Sequence, residues 1–333
     1  MPVTMWGWLA ITGVATAVLG LVFAQPSIRP KREITLTAQA VPLSSGEVSV
    51  DRLGALKFLG GLALRSTDNA FGGLSGLLVE ARADGLWLIA ITDQGDRMTG
   101  RILGDGDRMT GIDQATIEPL LNLEGAPIAG KAFGDAESMT RLANGRVLVG
   151  FERQHRIWSY AAGLTGRASV LETPAALAEA PSNGGIESLA SWPDGRVLAI
   201  TERMETDAAN LAAFLYRDGT WARLEWKASG AGFNPSDATV SPDGDLLVLE
   251  RFWSRLAPTS LRSRILRVKG DSVRGGAVLE GELVAEFATP NVTENFEGIA
   301  AFRSASGATQ LLIVSDDNFN SAQRTLLLRF ELP

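Results

Sequence analysis

The chain has 333 residues, 45% of them apolar, so it can bury a substantial core and is not a disordered segment. Its net charge is −7, with 38 acidic against 31 basic side chains, which argues against nucleic acid as the main partner because an acidic surface repels a phosphate backbone. It contains no cysteine, which excludes disulfides and thiolate metal sites.

Residues 5–24 read MWGWLAITGVATAVLGLVFA, a run without a charge. That length spans a bilayer and is long for the core of a signal peptide. The expectation is an N-terminal apolar helix over 1–24, either cleaved after Ala24 or kept as a membrane anchor, followed by one domain over 25–333. The expected location is the periplasm, free or anchored facing it, although the charges Arg29, Lys31 and Arg32 follow the apolar run instead of preceding it.

From residue 74 onward the chain repeats. LSGLLVEARADGLWLIAITD (74–93), AESMTRLANGRVLVGFE (136–152), IESLASWPDGRVLAITE (186–202), SDATVSPDGDLLVLE (236–250) and FEGIAAFRSASGATQLLIVSD (296–316) each hold two apolar runs around a turn. The turns are Asp84-Gly85, Asn144-Gly145, Asp194-Gly195, Asp243-Gly244 and Ser306-Gly307, residue types that permit tight hairpins. More strand-like sequence follows each copy, such as RIWSYAAG (156–163) and TLLLRFEL (325–332). Two strands plus two strands per repeat of about fifty residues is the pattern of a β-propeller blade. The fold expected is all-β, a single propeller with five countable repeats. Residues 33–66 would supply an outer strand that closes the ring against the last blade, or an incomplete sixth blade. The paired GDRMTG stretches at 95–100 and 106–111 read as the arms of one hairpin.

In a propeller, the start of each hairpin's first strand and the end of its second meet at one mouth of the ring. The opening positions are Ser75, Glu137, Glu187, Asp237 and Glu297; the closing ones are Asp93, Glu152, Glu202, Glu250 and Asp316. All but Ser75 are acidic. Arg153, Arg203 and Arg251 directly follow three of them, so one reading is ion pairs that stitch blades together. The other is a mouth that holds a cation, because crowded carboxylates raise one another's pKa or require a counter-charge. An all-oxygen set favours Ca²⁺, with Mg²⁺ as the alternative. Asp317 extends the last acid position, and Arg324 is placed to grip an anionic oxygen of a substrate. His155 is the lone histidine, for which a hydrogen-bonded structural role is favoured over acid–base work. No zinc, phosphate-loop, dinucleotide or nucleophile-elbow motif is present.

FGGLSGL, DAESM, FERQHRIW, NGGIESLA, LERFWS, NFEGIA and SDDNFNSAQRTLLL together resemble the phytase-like family, described as esterase-like activity of phytase, over residues 53–333. The resemblance implies a β-propeller, export and phosphoester hydrolysis at acidic residues. On that basis Glu137, Glu187, Asp237 and Glu297, with Asp93, Asp316 and Asp317, are the expected metal ligands. One of Glu152, Glu202 and Glu250 would be the base, and Arg153, Arg203 or Arg251 would hold phosphate oxygens. The expected partner is a small-molecule ester and the working unit a monomer. A metal-dependent lactonase or carboxyl esterase, and a non-catalytic envelope propeller, are the alternatives.

Overall fold

The computed structural model describes residues 30–45, 50–128, 130–254 and 257–333. It is a ring of five antiparallel-cored sheets, so the sixth-blade alternative falls away. The expected N-terminal helix lies outside the described residues. Among the described residues no helix is long and apolar enough to cross a membrane.

Blade 1 runs outward through Leu74–Arg82, Gly85–Thr92, Asp96–Asp105 and Arg108–Pro119. Blade 2 is Ala136–Arg141, Val147–Phe151, Arg156–Ala161 and Thr165–Leu171. Blade 3 is Ile186–Ser191, Val197–Glu205, Leu211–Arg217 and Thr220–Lys227, edged by the parallel strand Val278–Glu280. Blade 4 is Phe233–Val240, Leu246–Ser254, Ala257–Val268 and Glu282–Phe287. Blade 5 is Phe296–Arg303, Thr309–Ser315 and Thr325–Leu332, completed by Leu56–Arg65 and then Thr37–Ala40.

The closure forms as expected. Leu56–Arg65 pairs antiparallel with the last strand, so chain from before blade 1 finishes blade 5. Arg32–Glu33 pairs with the outer strand of blade 1, tying the same segment to both sides of the seam. The GDRMTG repeats are the two arms of one hairpin, Asp96–Asp105 against Arg108–Pro119.

The second strand of each blade carries an apolar run because both of its faces are buried there. In blade 5, Leu311 and Ile313 pack toward blade 4 with Phe287, Leu328 and Phe330. Their alternates Leu312 and Val314 pack toward blade 1 with Leu74, Leu77 and Leu327. The same two-sided division recurs at the other seams, giving a ring of inter-blade cores. Burying one such side chain contributes about 1.5–3 kcal/mol. Four of the five inner hairpins share one turn, in which the N–H of Gly145, Gly195, Gly244 or Gly307 donates back to the residue three before it. Each of these glycines has φ between 83° and 93°, where a side chain is strained.

Candidate functional site

A bulge shapes every inner strand at the mouth. Ala136 faces Phe151 and Ser138 faces Gly150, which leaves Glu137 without a partner. Glu187 and Glu297 are displaced in the same way, between Ile186 and Ser188 and between Phe296 and Gly298. Ser75 lies in the corresponding irregularity of blade 1. A bulge turns a side chain that would lie on a sheet face toward the axis of the ring.

Blade 4 departs from the fifty-residue spacing. Pro235 pairs with Glu250 and Asp237 with Leu249, so the bulged residue is Ser236 and not Asp237. The inner strand of blade 4 reaches this register one residue earlier than the repeat predicts. Asp237 is fully buried instead, and its two oxygens accept the N–H groups of Ala238 and, in blade 5, Ile299, both at 2.8 Å. Burial raises its pKa well above the ordinary range despite these bonds.

The closing position shifts in step. Glu152, Glu202, Asp93 and Asp316 each follow the residue paired at the foot of the inner strand. In blade 4 that slot belongs to Arg251. Glu250 turns away, and its carboxylate accepts Trp226 Nε1 at 2.7 Å together with the N–H and hydroxyl of Ser229. The one-residue slip thus replaces an acid of the ring by a guanidinium. Arg251 pairs with Glu297 of blade 5 at 2.6 Å and lies 3.8 Å from Glu202 of blade 3. Burial disfavours its charge, but Glu297, Glu202, Glu187 and Asp316 outweigh that and hold it above its ordinary value.

The other acids converge. Asp93, Asp135, Glu152, Glu187, Glu202 and Asp316 are buried, and Glu137 and Glu297 partly so. Glu187 sits among Glu137, Glu152, Glu202 and Glu297; burial first and these carboxyls next raise it well above the ordinary range. It donates a hydrogen bond to Glu152, whose Oε1 also accepts the Gly185 N–H at 2.8 Å. Glu137 is raised likewise, by burial and then by Asp135, to which it is hydrogen-bonded. Ser75 Oγ donates to its Oε2 at 3.1 Å. Burial lifts Glu297 to about 8, against the pull of Arg251, and Asp316 to about 7.

Asp135 and Lys131 join the acidic cluster at positions that the repeat does not point to. Asp135 lies two residues before Glu137, and that spacing in GDAES was the available signal. Asp135, Glu137 and Glu152 each offer an oxygen within 4.8 Å of the others. This buried all-oxygen cluster can hold a metal ion, and its donor chemistry suits Ca²⁺ or Mg²⁺. Lys131 Nζ reaches Asp93 Oδ2 at 2.8 Å and Asp135 Oδ1 at 3.1 Å. Arg153 takes the other Asp135 oxygen at 2.5 Å, and Arg203 pairs with its neighbour Glu202 at 2.9 Å. Only Arg251 of the three arginines therefore bridges blades.

The remaining expectations fall at the edge of the ring. Asp317 accepts the N–H groups of Gly73 and Phe319 and the Thr325 hydroxyl, which makes it a seam tie between blades 5 and 1. Arg324 pairs with Glu294 at 2.6 Å and lines a cavity beside the mouth. His155 has its Nε2 at 2.9 Å from the Pro181 carbonyl, and its Nδ1 packs on Gly185. A methyl on Gly185 would overlap His155 Nδ1. Gly185→Ala is therefore expected to displace the loop that binds Glu152 and to cost about 1–3 kcal/mol in a denaturant melt.

Among solved structures, the chain is similar to a virginiamycin B lyase from Staphylococcus aureus at 13% identity, covering 84% of this chain and 85% of that one with a TM-score of 0.35. It is similar to a gluconolactonase from Xanthomonas campestris at 12% identity, covering 92% and 99% with a TM-score of 0.41. A thermostable family-43 glycoside hydrolase matches at 9% identity over 78% and 89%, with a TM-score of 0.46. No curated protein matches the chain. The family model described as esterase-like activity of phytase matches residues 69–319, most of the chain, and the protein belongs to this phytase-like family.

Proposed function

We propose that the protein is a metal-dependent ester hydrolase working at the acidic mouth, with a phosphoester as substrate. The observation that carries this reading is the pairing of a three-carboxyl cluster, Asp135, Glu137 and Glu152, with one inserted arginine, Arg251, on the same ring. A divalent cation held by the cluster, Ca²⁺ or alternatively Mg²⁺, would supply positive charge to the ester oxygen and acidify a water. Arg251 would bind an anionic oxygen of the substrate by exchanging its contact with Glu297. Glu187, whose burial among other carboxyls favours its protonated form, is the group to pass a proton at the reacting ester. Glu202 is held by Arg203 and Glu250 by Trp226 and Ser229, so neither is the favoured base.

A second reading, a carboxylic ester or lactone as substrate, is favoured by the charge balance. Among the described residues, eight mouth carboxyls meet only Lys131, Arg153, Arg203 and Arg251, each already paired. Hydrolysis of a phosphoester and lactone panel, with and without chelator, separates the two. For the phosphoester reading Arg251→Met should lower kcat/KM by roughly a hundredfold. Unchanged turnover in that variant removes Arg251 from the mechanism, and absence of metal binding leaves a binding propeller. We also propose export. A fusion of residues 1–40 to a reporter active only in the periplasm should be active, and activity confined to a cytoplasmic reporter would contradict this.

A further inference from the structure

The seam between blades 5 and 1 carries an open cavity of about 590 Å³ beside the mouth. That volume is in the range of small-molecule sites. Its walls come from residues 63–71, which lead from the closing strand to blade 1, and from the loop 317–325. We infer that this cavity binds a small hydroxylated organic anion, such as a sugar phosphate or sugar acid, at a subsite separate from the carboxyl ring.

The charge distribution is the first ground. Two acids line the cavity, and both are spent. Asp68 is held by Arg32 at 2.7 and 2.8 Å and by the Ala70 N–H, and Asp317 is held by two backbone N–H groups and Thr325. The cations are not spent. The Arg65 side chain makes no ion pair or hydrogen bond among the described residues. Arg324 uses Nε for Glu294, and among the described residues its two Nη groups have no protein acceptor. In a chain of net charge −7, a cavity lined by an unpaired guanidinium and a half-used one is a place for an anion.

The second ground is the rest of the wall. Asn69 offers its amide, and Asn320 and Gln323 each commit only the oxygen, to Ala322 N and Asn318 Nδ2 respectively. Their NH₂ groups remain for hydroxyl oxygens. Phe319 is 43% exposed and gives an apolar face suited to the C–H side of a sugar ring. The loop that presents it is strained: Asn318 and Phe319 have φ of 49° and 50°, an uncommon pair for non-glycine residues. Asp316 and Asp317 hold that conformation through the N–H groups of Asn318 and Phe319. The Phe319 ring also covers Gly72 and Gly73, where any side chain would collide with it. The chain thus fixes an aromatic ring at the cavity at a conformational cost.

Isothermal titration of the full chain with glucose 6-phosphate, glucuronate and glucose tests the inference. At least one of the anions should bind at millimolar concentration and glucose should bind far more weakly. Arg65→Ala, an exposed change outside the cores, should weaken the anion roughly tenfold. Phe319→Ala should weaken it as well, and Glu187→Gln in the ring should leave it unchanged. The inference is overturned if neither anion binds, if Arg65→Ala binds as tightly as the wild type, or if Glu187→Gln abolishes binding and so moves the ligand to the mouth. None of these outcomes depends on ester hydrolysis.

Discussion

Deleting residues 325–333 is expected to abolish the cooperative melt. The strand Thr325–Leu332 lies between Thr309–Ser315 and Leu56–Arg65, so its loss unpairs both neighbours at once. Leu326 and Leu328 pack into the core against blade 4, and Leu327 into the core against blade 1. Phe330 meets Phe58 at 5.3 Å and Phe287 at 5.8 Å between ring centroids. Removing these four side chains and Leu332 forfeits on the order of 10 kcal/mol of burial. The net stability of a domain is about 5–15 kcal/mol, so the loss is comparable with the whole. The check is a calorimetric scan of the truncated chain. A single transition near that of the full protein would mean that the ring does not depend on this closure.

The fold was legible because propeller blades leave two strong marks on sequence. Both faces of each second strand are buried, which writes runs such as VLVGF and LLVLE. Each inner hairpin needs a residue with positive φ, which writes Gly145, Gly195, Gly244 and Gly307. The closing strand could be inferred from residues left over before the first repeat, as its pairing bears out. The mouth was legible to the level of which strand ends meet, and not to the level of each side chain. Spacing counts residues along the chain, whereas the side that a residue faces depends on register. In blade 4 a one-residue difference moves Asp237 and Glu250 off the ring and brings Ser236 and Arg251 onto it. LER therefore looks like FER and TER but presents the next residue. Lys131 could not be placed, because it comes from the connection before blade 2 and carries no repeat, and Asp135 left only its two-residue spacing from Glu137.

Burial decides how the mouth responds to pH. Glu137, Glu187, Glu297 and Asp316 all have folded pKa values above those of the unfolded chain. Groups raised in this way contribute stability that is present in acid and lost as pH rises through the folded values. With Glu297 near 8 and Asp316 near 7, against ordinary values of 4.5 and 3.8, the metal-free protein should lose stability from about pH 4 to pH 8. Chelated samples should therefore melt higher at pH 5 than at pH 8. A flat profile across this range would mean that the acids are paired by cations more completely than their placement implies.

Glu187→Gln separates a stitching role from a cation-binding one. Glutamine keeps a donor for Glu152 and removes a carboxyl from among Glu137, Glu152, Glu202 and Glu297. In chelator at pH 8 the variant should melt as high as the wild type or higher, because ionising Glu187 no longer opposes folding. At pH 5, where Glu187 holds its proton in the fold, the two should converge. Calcium reverses the order. An ion bound at a hundred times its Kd stabilises the wild type by about 2.7 kcal/mol. At roughly 2–4 °C per kcal/mol for a chain of this size, that is a rise of several degrees in Tm. The variant presents less negative charge to the ion, so its Tm should rise less and its calcium affinity should be lower. Had Glu187 served only to tie blades, its loss would leave a buried partner unsatisfied and cost about 1–3 kcal/mol at every pH, with or without calcium. A variant that melts lower in chelator at both pH values, with no response to calcium in either protein, would establish stitching as the role of the ring and leave the hydrolase reading without its metal.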